Sequence, residues 1–185
     1  ADYFPLLVAN NVLGGGYSAR LNTEIRIRRG LSYGANSSLQ ARVAPGPIIA
    51  SAQTRNDAAV QVYELIRAEI TRIGREATPE AELTARKAVL IGGFGRSVET
   101  TAGLAGQIST LAVYGLPPEQ LNTYVADITA VTPQQAQAAA TRYFDPARAD
   151  VVVVGDAQHF YPGLRRVLRN AERIPATELN LDSET

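Results

Sequence analysis

The stretch EIRIRRGLSYGANSSLQ combines three arginines with a tyrosine and a glycine, namely Arg26, Arg28, Arg29, Tyr33 and Gly34. Guanidinium groups carry planar sets of N–H donors, and a phenol carries one O–H donor, so the cluster could bind carbonyl or carboxylate oxygens of a ligand. Arginines in the last turn of a helix also interact favourably with the helix dipole and its free carbonyls. On composition alone, that structural role is the preferred interpretation.

Other groups that could do chemistry are isolated in the sequence. There is no cysteine and one histidine, His159, so thiol catalysis is excluded and a zinc site made by this chain alone is not expected. The triple glycine at 14–16 follows a helical pattern and lacks the Lys-Ser/Thr of a phosphate-binding loop. Ser32 and Ser37 have no histidine base nearby in the sequence. We expect His159 to be solvated or to cap a turn, and we expect no cofactor in this chain.

Length, composition and charge indicate one globular domain. The chain has 185 residues, 45% of them hydrophobic, and its 18 basic and 18 acidic side chains cancel. This balance does not favour nucleic acid or an anionic membrane as a partner. No apolar run approaches the roughly 20 residues that cross a bilayer. An arginine-rich, cysteine-free composition suits a bacterial protein and leaves periplasm and cytoplasm equally open.

The first 55 residues predict two helices and a hairpin. The apolar first helix ends at the triple glycine, and the second begins at a Ser18 cap, carries Leu21, Ile25 and Arg28 on one side, and ends at Gly30. Two alternating or β-branched segments follow around the turn APGP. The predicted helices cover 3–13 and 18–29, and the strands cover 32–43 and 46–55.

The remainder predicts mainly helices. Asp57 and Thr78 are expected to cap two of them, and Thr132 with Gln135 has the spacing of a capping box. A bend at 92–93 is possible in glycine-rich surroundings. The predicted helices cover 57–76, 78–99, 101–113, 118–130, 132–144 and 163–174, with a strand buried on both faces at 149–157. We therefore predict an α+β domain at 1–175, a small mixed or antiparallel sheet covered on one face by helices, and a loose tail at 176–185.

Several of these segments together resemble the second-half domain of pitrilysin-type (insulinase-like) zinc metallopeptidases, the inverzincins. The matching segments are LGGG, SARLNTEIR followed by GLSYG, TPEAELTARK, TPQQAQAAATRYF and DVVVVGDA. In that family two homologous α+β domains form each half of a clamshell. One half carries the zinc motif H-x-x-E-H, which this chain lacks. The resemblance thus implies the non-zinc half.

The resemblance also implies a site. In this family the non-zinc half contributes an arginine and a tyrosine seven positions apart, and Arg26 and Tyr33 have that spacing, with Gly34 beside them. They are the expected catalytic and substrate-binding residues, whereas Arg28 and Arg29 are assigned to the solvated helix end. Zinc is expected in a partner half that carries H-x-x-E-H, on the same polypeptide or on another subunit as in a heterodimer. The isolated chain is then an incomplete peptidase.

Two alternatives remain open. The chain could be a structural or assembly domain that has the fold without catalysis, as in some relatives in respiratory complexes. It could also be a free-standing peptide-binding module that adds a strand at an exposed sheet edge. The pair Arg26 and Tyr33 favours the peptidase over both.

Overall fold

The apolar N-terminal helix is the centre of the core. This computed structural model describes residues 2–178, and α1, Tyr3–Leu13, lies among six later elements. Its side chains Val8, Val12 and Leu13 are at most 1% exposed. A helix that is apolar on nearly every side is stable only when it is surrounded, and here later helices and the first strand surround it.

Helices dominate the described residues, and the α+β prediction is confirmed. A short helix α2, Arg20–Asn22, continues as a π-helical turn, Thr23–Ile27. The longer helices follow the hairpin: α3 Ala59–Arg75, α4 Glu80–Ser97, α5 Thr101–Val113, α6 Gln120–Ala130, α7 Pro133–Tyr143 and α8 Tyr161–Val167. No helix within residues 2–178 combines the length and the apolar character needed to cross a membrane.

The predicted hairpin forms a two-stranded antiparallel sheet, in which β1, Ser32–Leu39, pairs with β2, Ile48–Thr54. One face packs on the core through Ala35, Ala50 and Ala52, while side chains of the alternate positions are exposed. The sheet is therefore covered by helices on one face, as its alternating pattern predicts.

Helix ends confirm some predicted caps and correct others. Thr132 and Gln135 form the predicted capping box at α7. Gly30 has a φ of 61°, as expected of a glycine that ends a helix. Ser18 is not a cap, because its hydroxyl accepts a hydrogen bond from Arg86 instead. Helix α4 runs without interruption through Gly92 and Gly93.

Two further predicted caps are also wrong. Asp57 forms an ion pair with Arg55, at 3.1 Å, and caps no helix. The side chain of Thr78 is buried, and Pro79 occupies the N-cap position of α4 without a side-chain cap.

The predicted strand at 149–157 is wrong. Residues 149–154 form no strand, and the side chains of Val152 and Val154 are 85% and 91% exposed. A groove of about 770 Å³, lined by β2, α3 and this segment, separates it from the free edge of β2. A strand is stable only when a neighbouring strand accepts its backbone hydrogen bonds, and no such neighbour lies beside it among the described residues.

The C-terminal end differs in extent from the prediction. Helix α8 begins two residues before the predicted 163 and ends at Val167, well before the predicted 174. Residues Ala176–Glu178 form one 3-10 turn, and the remainder of the predicted tail lies outside the described residues. The domain boundary at 175 stays a prediction.

Candidate functional site

Arg26 lies in a π-helical turn, which the sequence pattern did not predict. Within Thr23–Ile27 the helix widens, and the N–H of Arg28 donates to the carbonyl of Thr23 at 2.9 Å, five residues back. The extra residue rotates the positions that follow, so Arg28 is exposed although regular spacing would place it beside buried Leu21 and Ile25. Single π turns occur frequently at functional sites.

A tight reversal brings the chain from α2 back along itself. Gly30 N–H donates to the carbonyl of Arg26 at 3.0 Å, and Leu31 N–H donates to the carbonyl of Ile25 at 2.9 Å. The Gly30 bond is the five-to-one bond of a helix that ends in the left-handed conformation, and the positive φ of Gly30 allows it. The reversal returns β1 to the side of the helix on which Arg26 lies.

A β-bulge presents Tyr33. Ser32 pairs with Thr54 and Ala35 with Ala52, so β1 has one residue more than β2 between these pairs. The N–H of Gly34 donates to the Ser32 hydroxyl at 3.0 Å, outside the regular ladder. Bulges reorient the side chains that they contain. The ring of Tyr33 is 87% exposed and points away from the core.

The structure brings Arg26 and Tyr33 together, with a second tyrosine. The Cζ of Arg26 lies over the ring of Tyr33, 4.7 Å from its centroid, and over the ring of Tyr17, 5.0 Å from its centroid. Tyr17 is 66% exposed. The sequence analysis missed Tyr17, and its separation from Arg26 corresponds to no familiar motif.

The other two arginines of the cluster have a different environment. Arg28 and Arg29 both form ion pairs with Glu24, and Arg29 also donates to the Glu24 carbonyl at 3.1 Å. Burial raises the pKa of Glu24, but hydrogen bonds from Arg29 and Arg28 outweigh it and lower the pKa below its ordinary value. The sequence analysis assigned these two arginines to the solvated helix end, but in the structure both bind the carboxylate of Glu24. No carboxylate of the described residues forms an ion pair with Arg26.

A buried asparagine sets the separation of the two tyrosine-bearing segments. The side chain of Asn22, 4% exposed, donates to the carbonyl of Tyr17 at 2.6 Å and accepts from the N–H of Ala35 at 3.2 Å. Asn22 therefore joins the loop before α2 to the strand that carries Tyr33. A buried amide with both partners satisfied holds such a geometry firmly.

Side chains of α4 hold α2 and the loop before it. Arg20 forms a two-bond ion pair with Glu82 of α4, both bonds 2.8 Å, and Arg86 donates to the Ser18 carbonyl at 2.8 Å. Burial raises the pKa of Glu82, but the hydrogen bond and charge of Arg20 outweigh it, and the net pKa is lower than usual.

Two of the three glycines in 14–16 are required by close packing. A Cβ on Gly14 would lie 2.2 Å from the backbone nitrogen of Ser37, and one on Gly15 would lie 2.6 Å from the Cα of Asn11. The N–H of Ser37 donates to the carbonyl of Gly14 at 3.0 Å. At Gly34, in contrast, a Cβ would meet nothing within 4 Å, so the space beside the bulge is open.

The remaining candidates do not form a second site. His159 is 62% exposed and lies 3.5 Å from Asp156 at the end of a 3-10 turn, in line with the solvated or capping role expected of it. Within the described part of the chain, no three His, Cys, Asp or Glu side chains are grouped closely enough to hold a metal ion.

The family comparison and one of the solved structures carry the same description. The family model described as the peptidase M16 inactive domain matches residues 1–90. A peptidase M16 inactive domain from Pseudomonas fluorescens is 28% identical with a TM-score of 0.72, covering 78% of this chain and 35% of that one. A conserved protein from Enterococcus faecalis V583 is 25% identical with a TM-score of 0.66, covering 77% and 33%.

A protease from Helicobacter pylori, 20% identical with a TM-score of 0.66 and covering 80% and 35%, shares the fold. This chain therefore spans about a third of the length of these three structures. No curated protein gives a significant match to the sequence.

Proposed function

Because the first 90 residues match the peptidase M16 inactive domain and a solved structure of such a domain shares the fold, we propose that this chain holds an extended peptide substrate opposite a zinc-bearing half. That half carries H-x-x-E-H and supplies the metal that activates water for attack on the peptide bond. This chain supplies donors for the peptide from Arg26 and Tyr33. The observation that carries the proposal is the placement of the Arg26 guanidinium over the exposed ring of Tyr33.

Arg26 is suited to peptide carbonyls because its donors are available. Its half-buried side chain has no carboxylate partner among residues 2–178, whereas Glu24 neutralises the neighbouring Arg28 and Arg29. An arginine without a counter-ion keeps its full charge and a planar set of N–H donors. In this proposal Arg26 fixes the substrate backbone by donating to its carbonyl oxygens.

Tyr33 is suited to the oxygen on which negative charge develops during attack. Its O–H stands at an exposed bulge, on a strand that is bonded to β2 and to Asn22. A donor held on rigid elements stabilises developing charge without reorganisation, and loss of one such donor typically lowers kcat by about 10²–10³. Gly34 leaves room beside Tyr33 for the substrate backbone, since no atom of this chain occupies that space.

A peptide-cleavage assay tests the proposal. Fluorescein-labelled casein is incubated with this chain alone, with a zinc-bearing family half alone, and with both together. We expect cleavage only when both are present, and a fall of about 10²–10³ in kcat with Arg26→Ala or Tyr33→Phe. If both variants cleave casein as fast as the wild type, Arg26 and Tyr33 are not part of the site. No cleavage with any zinc-bearing half would favour the structural or assembly role.

A further inference from the structure

Tyr17 is an exposed aromatic residue whose ring has a charged neighbour. The ring is 66% exposed, yet the Cζ of Arg26 lies over it at 5.0 Å from the centroid. An exposed ring beside a guanidinium can orient it through a cation–π interaction.

The way in which a guanidinium is held decides which donors remain free. A carboxylate partner occupies N–H groups at the edge of the guanidinium plane and cancels the charge, as Glu24 does for Arg28 and Arg29. An aromatic ring instead contacts the face of that plane and leaves the edge donors and the charge available. The Cζ of Arg26 lies over the rings of Tyr17 and Tyr33, and no carboxylate of residues 2–178 forms an ion pair with it.

The backbone that carries Tyr17 is built to hold the ring in place. Its carbonyl accepts from buried Asn22 at 2.6 Å, and the next carbonyl, that of Ser18, accepts from Arg86 at 2.8 Å. Asn22 also accepts from the N–H of Ala35, two residues beyond Tyr33. One side chain therefore sets the separation of the two rings on which Arg26 lies.

We propose that Tyr17 is a positioning residue: its ring orients the Arg26 guanidinium so that the edge donors of Arg26 face a peptide backbone. This inference rests on the proposed function for the identity of the ligand and adds a residue to that site. Tyr17 acts through Arg26, so its contribution disappears when Arg26 is removed.

A double-mutant cycle tests the proposal in the protein that contains this chain together with its zinc-bearing half. Binding of fluorescein-labelled casein is measured by anisotropy after zinc is removed with a chelator, and cleavage is measured with zinc present. Tyr17→Leu is expected to weaken binding and lower kcat/KM by about 3- to 30-fold, the range of a cation–π contact from exposed to desolvated. Tyr17→Phe keeps the ring face and is expected to stay within about twofold.

The background of Arg26→Ala gives the decisive comparison. There, Tyr17→Leu is expected to cause no further loss of binding or cleavage, because the guanidinium that it orients is gone. An equal loss in both backgrounds, no loss in either, or a large fall in the thermal midpoint with Tyr17→Leu would overturn the inference.

The two readouts separate this inference from the proposed function. Suppose that Tyr17→Leu weakens casein binding only when Arg26 is present, and that the protein cleaves no casein. This result would support the positioning role and contradict the peptidase role. Cleavage that depends on Arg26 and Tyr33 but not on Tyr17 would support the peptidase role and overturn the positioning role. A protein that neither binds nor cleaves casein would contradict both.

Discussion

Two segments of this chain carry exposed aromatic or apolar side chains, and they are held in opposite ways. The segment 14–37 is bonded internally at Gly14 and Asn22. Hydrogen bonds from Ser37 to Asn10 and from Arg86 to Ser18 join it to α1 and α4. The segment 149–154 has two valines more than 80% exposed and takes no part in the sheet. The first segment presents Tyr17 and Tyr33 from a rigid base, whereas the second borders an open groove.

This difference bears on function because a site needs donors in fixed positions. The loop, π turn and bulge of segment 14–37 are all irregular, and each irregularity is compensated by a specific hydrogen bond or a glycine. Irregular backbone that is fully bonded in this way is a stronger indication of a binding role than exposure alone. The valines of 149–154 are exposed without any such fixation, so we assign them no ligand.

The largest effect is expected where the first segment meets the core. Gly14→Ala would place a Cβ 2.2 Å from the nitrogen of Ser37 and force α1 and β1 apart. We expect a loss of about 3 kcal/mol or more in the free energy of unfolding, at the upper end for overpacked positions. Gly16→Ala is the matched control, since its Cβ would lie 3.9 Å from the nearest atom, an Arg86 nitrogen. Equal losses in both variants, measured by urea denaturation, would contradict the packing argument.

A smaller loss is expected from the ion pair that fastens the loop to α4. Glu82→Gln removes the charge that compensates Arg20, which is 7% exposed, and we expect a loss of about 2 kcal/mol, below the value for fully buried pairs because Glu82 is 29% exposed. Glu76→Gln is the control: its carboxylate is 67% exposed, pairs with Arg72 at 3.4 Å, and is expected to matter by less than about 0.5 kcal/mol.

The ion pair between Arg20 and Glu82 also predicts how the stability of the fold changes with pH. The folded-state pKa of Glu82 lies below its ordinary value, so the pair stabilises the fold above the unfolded pKa of about 4.3. That stability is lost as the pH falls through the folded pKa. Wild-type protein is therefore expected to lose more stability than Glu82→Gln on acidification below about pH 4. Parallel acid profiles for the two proteins would contradict this assignment.

Gly34 is expected to affect activity without affecting stability. A Cβ at this position meets nothing within the chain, so Gly34→Ala should leave the thermal midpoint unchanged or slightly raised. If a substrate backbone passes beside the bulge, the added methyl group should obstruct it and lower kcat/KM by about tenfold. A tenfold fall corresponds to about 1.4 kcal/mol in the free energy of the transition state. Unchanged cleavage by Gly34→Ala would place the substrate elsewhere.

The smallest effect is expected in the second segment. Val152 is 85% exposed, so Val152→Ser should change the free energy of unfolding by less than about 0.5 kcal/mol. Val12→Ser, at a position with 0% exposure in α1, should cost about 2 kcal/mol or more because the hydroxyl would be buried in an apolar core. A large loss with Val152→Ser, measured by thermal denaturation, would show that the segment is packed as the sequence pattern suggested.

Particular residues show what the sequence could and could not predict. Alternation around APGP was enough for the hairpin, and Thr132 with Gln135 was enough for the capping box, because both depend on local chemistry. Four valines predicted a buried strand at 149–157, but burial depends on a neighbouring strand, which local composition does not encode.

The site was partly predictable for the same reason. The spacing of Arg26 and Tyr33 pointed to the pair through a family resemblance, and the structure places the two side chains together. The π turn, the bulge and Tyr17 had no sequence signal, because each arises from contacts between α2, β1 and the loop after α1.

The most direct test compares two arginines of the same helix end. If the proposed peptidase role is right, casein is cleaved by this chain together with a zinc-bearing half, and the kinetics are measured for Arg26→Ala and for Arg28→Ala. The second variant removes an arginine that is paired with Glu24 and 65% exposed. The account predicts a fall of about 10²–10³ in kcat/KM for Arg26→Ala and a change of less than about twofold for Arg28→Ala. Equal kinetics for the two variants would contradict the claim that Arg26 holds the substrate.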